Sequence, residues 1–98
     1  MRLQDLRHSW ALARDQSSPL LLEHTFALAE ALDKATATAL ELGRSEAASA
    51  LRQEAGTLHD EGLRALETVG NNWHGPRRYH FMERTAPFVQ HVVRWRWD

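Results

Sequence analysis

Six histidines, His8, His24, His59, His74, His80 and His91, are the residues of this chain with the widest chemical range. Imidazole is the commonest metal ligand and changes charge near neutral pH. Ligation from one helix needs two donors on one face, and no two of these histidines have that spacing. Neither H-E-x-x-H nor the E-x-x-H of di-iron bundles occurs. Folding the chain about residue 44 sets His24 opposite residue 64 and His59 opposite residue 29. At the helical rise this offset is roughly 7 to 8 Å, too far for the two to share an ion. His59 could instead meet Glu30 across the fold, and the histidines are read as solvated or hydrogen-bonded side chains. With no cysteine in the chain, thiolate metal sites, disulfides and cysteine nucleophiles are excluded.

Carboxylates are the next candidates: Glu23, Glu30, Asp33, Glu41, Glu46, Glu54, Asp60, Glu61 and Glu67. Acid–base catalysis needs one of a pair to be buried enough to shift its pKa. Glu30 with Lys34, and Asp60 with Arg64, instead have the i, i+4 order of ion pairs on a solvated helix face. No serine sits in a nucleophile elbow and no glycine-rich loop cradles phosphate. The reading is therefore non-enzymatic, with no cofactor and no metal.

The third candidate is the C-terminal segment. Residues 73–98 carry five arginines against two acids, a net +3, whereas residues 1–72 carry seven positive and eleven negative charges, a net −4. Six of the eight aromatic residues lie in the same segment. Arginine interleaved with rings, as in Arg77-Arg78-Tyr79-His80-Phe81 and Arg94-Trp95-Arg96-Trp97, suits phosphate contact with base stacking. It equally suits a protein–protein hot spot, where Trp, Tyr and Arg dominate. A third use is structural, with rings completing an alanine-rich core and arginines covering an acidic face. The candidate contact residues are Trp73, Arg77, Arg78, Tyr79, Phe81, Arg94, Trp95, Arg96 and Trp97.

The elements that position these groups follow from periodicity. Leu3, Leu6, Trp10 and Ala13 fall on one stripe of a helix over about 2–15. Ser18-Pro19 reads as an N-cap followed by a first-turn proline, starting a second helix that runs to Leu42, where Gly43 closes it. Leu21, Thr25, Leu28, Leu32, Ala35, Ala39 and Leu42 repeat at spacings of four and three, the seam of a helix packed along its length. Ser45 caps a third helix over 46–69 with Ala48, Leu51, Ala55, Leu58, Gly62, Ala65 and Val69 as its seam, widened by Leu63 and Leu66. Two helices joined by so short a turn must run antiparallel, and their small residues permit close approach. Asn71 to Pro76 reads as a loop, and Thr85-Ala86-Pro87 as a second break or a cap. Residues 88–97 alternate as a strand would, yet also place Phe88, Val92 and Trp95 on one side of a helix. A helix is favoured, because a lone strand lacks a partner.

A chain of 98 residues makes one domain, and its 43% hydrophobic and 26% charged content is that of an ordinary globular protein. The average hides the division between a body at 1–70, rich in leucine and alanine, and the aromatic, basic segment at 71–98. MRLQDLRHSW is charged throughout and opens no apolar run of the signal-peptide kind, and nowhere does the sequence hold the roughly 20 apolar residues of a membrane span. A cytoplasmic, membrane-free protein is expected.

Trp73-His74-Gly75, a Trp-x-Gly after a long helix in an acidic chain without cysteine, resembles the motif of the small WXG proteins exported by specialised Gram-positive secretion systems. Tyr79 and Glu83 can be laid on that family's Tyr-x-x-x-acid export signature. The resemblance implies a secreted helical hairpin. The chain departs from the family pattern in placing the motif late, with only 23 residues after Gly75.

Together these features predict an all-α domain over 1–98: a short helix, an antiparallel hairpin and a C-terminal segment completing a bundle, within one molecule or as a dimer. The expected function is protein–protein interaction, as an adaptor, inhibitor or homodimerising module. Nucleic-acid binding by the tail is the alternative, and a WXG-like secreted protein a further one.

Overall fold

A computed structural model of the chain describes the backbone of residues 2–70 and 76–97 and the side chains of residues 2–67 and 83–97. Among these residues it forms four helices and no strand: α1 (Leu3–Asp15), α2 (Leu21–Glu41), α3 (Ser45–Gly70) and α4 (Pro76–Trp97). The molecule extends 49 × 29 × 19 Å. Its least dimension is about two helix diameters, so the bundle is two layers thick.

Two turns of the same design organise the first three helices. At the end of α2, Gly43 takes φ +71°. Its N–H donates to the Leu40 carbonyl and the Arg44 N–H to the Ala39 carbonyl, the paired bonds of a Schellman motif. At the end of α1, Ser17 fills the left-handed position with φ 50°, while Ser17 N–H donates to Arg14 and Ser18 N–H to Ala13. Ser18 therefore does not cap α2 as its sequence position predicts. It is occupied in closing α1, its hydroxyl accepts from Leu20 N–H at 3.1 Å, and α2 starts two residues beyond Pro19.

The centre is the α2/α3 pair. Leu28, Ala29, Leu32, Ala55 and Leu58 form a buried cluster, against which Leu3, Leu6, Trp10, Leu51 and Trp95 pack. Of the predicted seam, Leu28, Leu32 and Leu58 are buried, Leu21, Leu51 and Leu66 are half-buried, and Leu42 is 64% exposed. Leu42 leaves the seam because it is the C-cap residue of α2, where the chain already turns into Gly43 and no facing helix covers it.

α1 and α4 lie along opposite flanks of this pair. α1 packs on α2, and α4 packs on both α2 and α3. α4 runs unbroken through Thr85-Ala86-Pro87, so neither the predicted break nor the strand alternative for 88–97 holds. A proline inside a helix removes one backbone donor and crowds the carbonyl four residues back. Pro87 is exposed, leaving that carbonyl on the water side, while Thr85 and Phe88 anchor the opposite face in the interior. Tertiary burial overrides the local signal.

Candidate interaction surface and a buried histidine pair

α4 has two faces of different character. Inward, Phe88 and Val92 are buried to 1% and 2% exposure, Thr85 and His91 are also buried, and Trp95 packs against the central cluster. Outward, Val89, Val93 and Trp97 follow one another at intervals of four, with exposures of 37%, 46% and 74%. Residues four apart share a helix face, so the three make an apolar stripe about 12 Å long. Leu12, Leu20, Leu40 and Leu42 are the other exposed large apolar side chains described; they lie on or beside α1 and α2.

The predicted contact residues of the tail are thus divided. Trp95 is turned inward, with the Arg52 guanidinium 5.7 Å from its ring centroid and its indole edge beside Gly56. Trp97 is turned outward. Arg96 is paired with Asp60 of α3. Arg84 grips Glu23 of α2 through Nε at 3.0 Å and also donates to the Pro19 carbonyl. Arg94 is exposed and lines a recess of about 370 Å³ together with Glu30, Asp33, Lys34, His91 and Trp95. Trp73 and the side chains of Arg77, Arg78, Tyr79 and Phe81 lie outside the described residues, as does the Trp73-His74-Gly75 motif.

The close seating of α4 depends on Gly62. A Cβ built there would lie 2.4 Å and 2.7 Å from Phe88 ring carbons and 3.1 Å from Thr25 Cγ2. Only a residue without a side chain lets Phe88 cross α3 at this depth.

His59, on α3, lies directly beneath α4. It is 0% exposed and makes no hydrogen bond to Glu30, the contact that the folded register allows. Its ring instead meets three others nearly edge to face: Trp95 at 4.8 Å between centroids, His91 at 5.3 Å and Phe88 at 6.1 Å. His91 in turn packs edge-on to Phe26 of α2 at 5.9 Å. Neither ring nitrogen of His59 has a hydrogen-bond partner, and Nε2 of His91 has none either. Burial pushes the His59 pKa down to about 4, reinforced by His91 and Arg96 and opposed by Asp60 and Asp33. The His91 pKa is also lowered, mainly by burial, with Arg94 in support and Asp33 and Glu30 opposing. Both rings are therefore neutral at pH 7. Sequence spacing could not reveal this pair, because 32 residues and a helix reversal separate its members.

On the other flank, Trp10 of α1 donates its indole N–H to Thr25 Oγ1 at 3.0 Å, and Thr25 donates onward to the Leu21 carbonyl at 2.7 Å. Arg7 forms a two-pronged ion pair with Glu54 of α3 at 2.7 and 2.6 Å, which raises the Arg7 pKa further. A groove of about 390 Å³ runs between α1 and α3, floored by Trp10, Leu28 and Leu58.

Among the described residues, no three His, Asp or Glu side chains converge as a metal site, and no helix is long and apolar enough to cross a membrane. Compared with protein-family models, with curated proteins and with solved structures, the chain shows no significant match.

Proposed function

We propose that this chain is a small, non-catalytic protein–protein interaction module that makes contact through the outer face of α4. The observation that supports the reading is the stripe of Val89, Val93 and Trp97. Isolated apolar residues on a surface are ordinary, but three aligned on one helix face, ending in a tryptophan 74% exposed, are what a partner helix would cover. Tryptophan is also among the residues that contribute most at interfaces. Arg94, one position along from Val93, gives the stripe a positive flank, so the complementary surface is apolar with an acidic edge.

A second copy of the chain offers such a surface. Leu12, Leu20, Leu40 and Leu42 are exposed on or beside its α1 and α2, in a body at 1–72 that carries −4 and so attracts the Arg94 flank of the stripe. The nucleic-acid alternative has less to draw on, because Arg84 and Arg96 are already engaged by carboxylates.

Sedimentation equilibrium of the full chain from micromolar to millimolar concentration tests the proposal. The expected result is reversible dimerisation, weakened at least tenfold by Val93→Asp and by Trp97→Ser. Since both side chains point outward, neither change disturbs the inner core, and circular dichroism checks that the helices persist. A wild-type chain monomeric throughout the range rejects self-association as the function of this face.

A further inference from the structure

We infer that His59 and His91 form a proton-operated latch, which holds α4 against α2 and α3 near neutral pH and releases it on mild acidification. This is independent of the outer stripe and concerns the opposite face of the helix.

The geometry carries the inference. Two imidazoles are packed ring to ring at 5.3 Å under α4, one of them wholly buried, and three of their four nitrogens lack any partner. A buried polar group without a partner destabilises the state that buries it, and a buried charge does so far more. The rings can stay in place only while neutral. Displacing α4 removes His91, Trp95 and Phe88 from His59 together and opens all the orphaned nitrogens to water.

The surrounding charges set the direction. From α4, His91 and Arg96 oppose a proton on His59, while Asp60 of α3 and Asp33 of α2 favour one. For His91, Asp33 and Glu30 of α2 favour a proton and its own neighbour Arg94 opposes it. The aromatic faces around His59 add some cation–π attraction, but desolvation remains the largest influence on both rings. An open state with hydrated imidazoles binds protons at about pH 6.5, whereas the closed state holds His59 neutral down to about 4. Between these values the open state binds more protons, so closure weakens as pH falls, and the His59 contribution levels off below about 4. Each histidine held neutral raises the open fraction up to tenfold per pH unit, roughly 300-fold for His59 across the window.

Hydrogen exchange of backbone amides in the full chain, followed from pH 7 downwards and converted to opening constants, tests the latch. The expected result is a steep rise in opening for α4 between pH 6.5 and about 4, with α2 and α3 still protected. His59→Leu with His91→Leu nearly keeps the volume, leaves the charges of Glu23, Asp33 and Asp60 in place, and should flatten the slope for α4. If that variant packs poorly, histidine side-chain NMR in the wild-type chain decides instead. The latch predicts that His59 and His91 take up protons only as the α4 amides lose protection. Protection of α4 unchanged across the window, both rings titrating near 6.5 with α4 closed, or all four helices opening together would each overturn it.

Discussion

α1 and α4 are both amphipathic helices lying along the α2/α3 pair, yet they are held by different means. α1 brings half-buried leucines and Trp10, and the polar links described across its interface are satisfied: indole to Thr25, which donates on to Leu21 within α2, and Arg7 to Glu54. α4 brings the most deeply buried aromatic ring, seats it over a glycine, and leaves two imidazoles with orphaned nitrogens beneath it. One flank is held by polar satisfaction with moderate burial; the other has ion pairs at its edges, Arg84 with Glu23 and Arg96 with Asp60, but a polar debt in its interior. The difference teaches that depth of burial and security of attachment are separate properties. The better-buried helix is the one that volume changes and protons should dislodge.

Phe88→Ala is the largest blow to that contrast. Removing a fully buried ring costs about 3–5 kcal/mol, and here the cavity would open against His59 and Gly62. Urea unfolding of the variant should show that loss, with exchange of α4 amides rising before those of α1. Equal loosening of the two flanks would mean that Phe88 supports the whole bundle rather than α4.

Gly62→Ala comes next. Alanine is the better helix former by about 1 kcal/mol, but its Cβ would meet the Phe88 ring at 2.4 Å, and overpacking of this kind costs typically 1–3 kcal/mol. A net loss of up to about 2 kcal/mol is expected. Gly56→Ala is the internal control: its Cβ would sit 3.6 Å from the Trp95 ring, an ordinary contact, so that change should stabilise α3. The two glycines then report opposite signs six residues apart on one helix. If both substitutions stabilise, Phe88 can withdraw freely and the seating of α4 is looser than its burial suggests.

Much of the body was legible from sequence because one repeated cue governs it. Leucine and alanine spaced by four and three mark the α2/α3 seam, and Gly43 marks its turn. The cue overran at Leu42, since periodicity does not say where a helix loses its neighbour. α4 was harder. Pro87 is a strong local signal for a break, and what overrides it, burial of Thr85 and Phe88 on the opposite face, depends on residues distant in sequence. The spacing of Phe88, Val92 and Trp95 did place one face of the tail, but it could not show Trp97 turned to solvent or Arg96 paired with Asp60. The histidine pair was invisible for the same reason: no short-range pattern marks two imidazoles contributed by different helices. What local sequence encodes is the element, and what it leaves open is the contact between elements.

The smallest expected effect is on α1. Trp10→Phe removes the indole N–H, leaving the Thr25 hydroxyl able to donate to Leu21 but without its incoming bond, and it trims a half-buried ring that also carries Arg14 at 4.7 Å. Loss of one such bond costs about 1 kcal/mol. Because the lost link involves no group that titrates near neutrality, the loss should be the same at pH 7 and pH 5, and the pH dependence of α4 exchange should be unchanged. Paired urea titrations at the two pH values measure this directly. A Trp10→Phe variant whose cost grew on acidification would show that the two flanks are coupled through the α2/α3 core, and the distinction between a permanently held α1 and a conditionally held α4 would have to be given up.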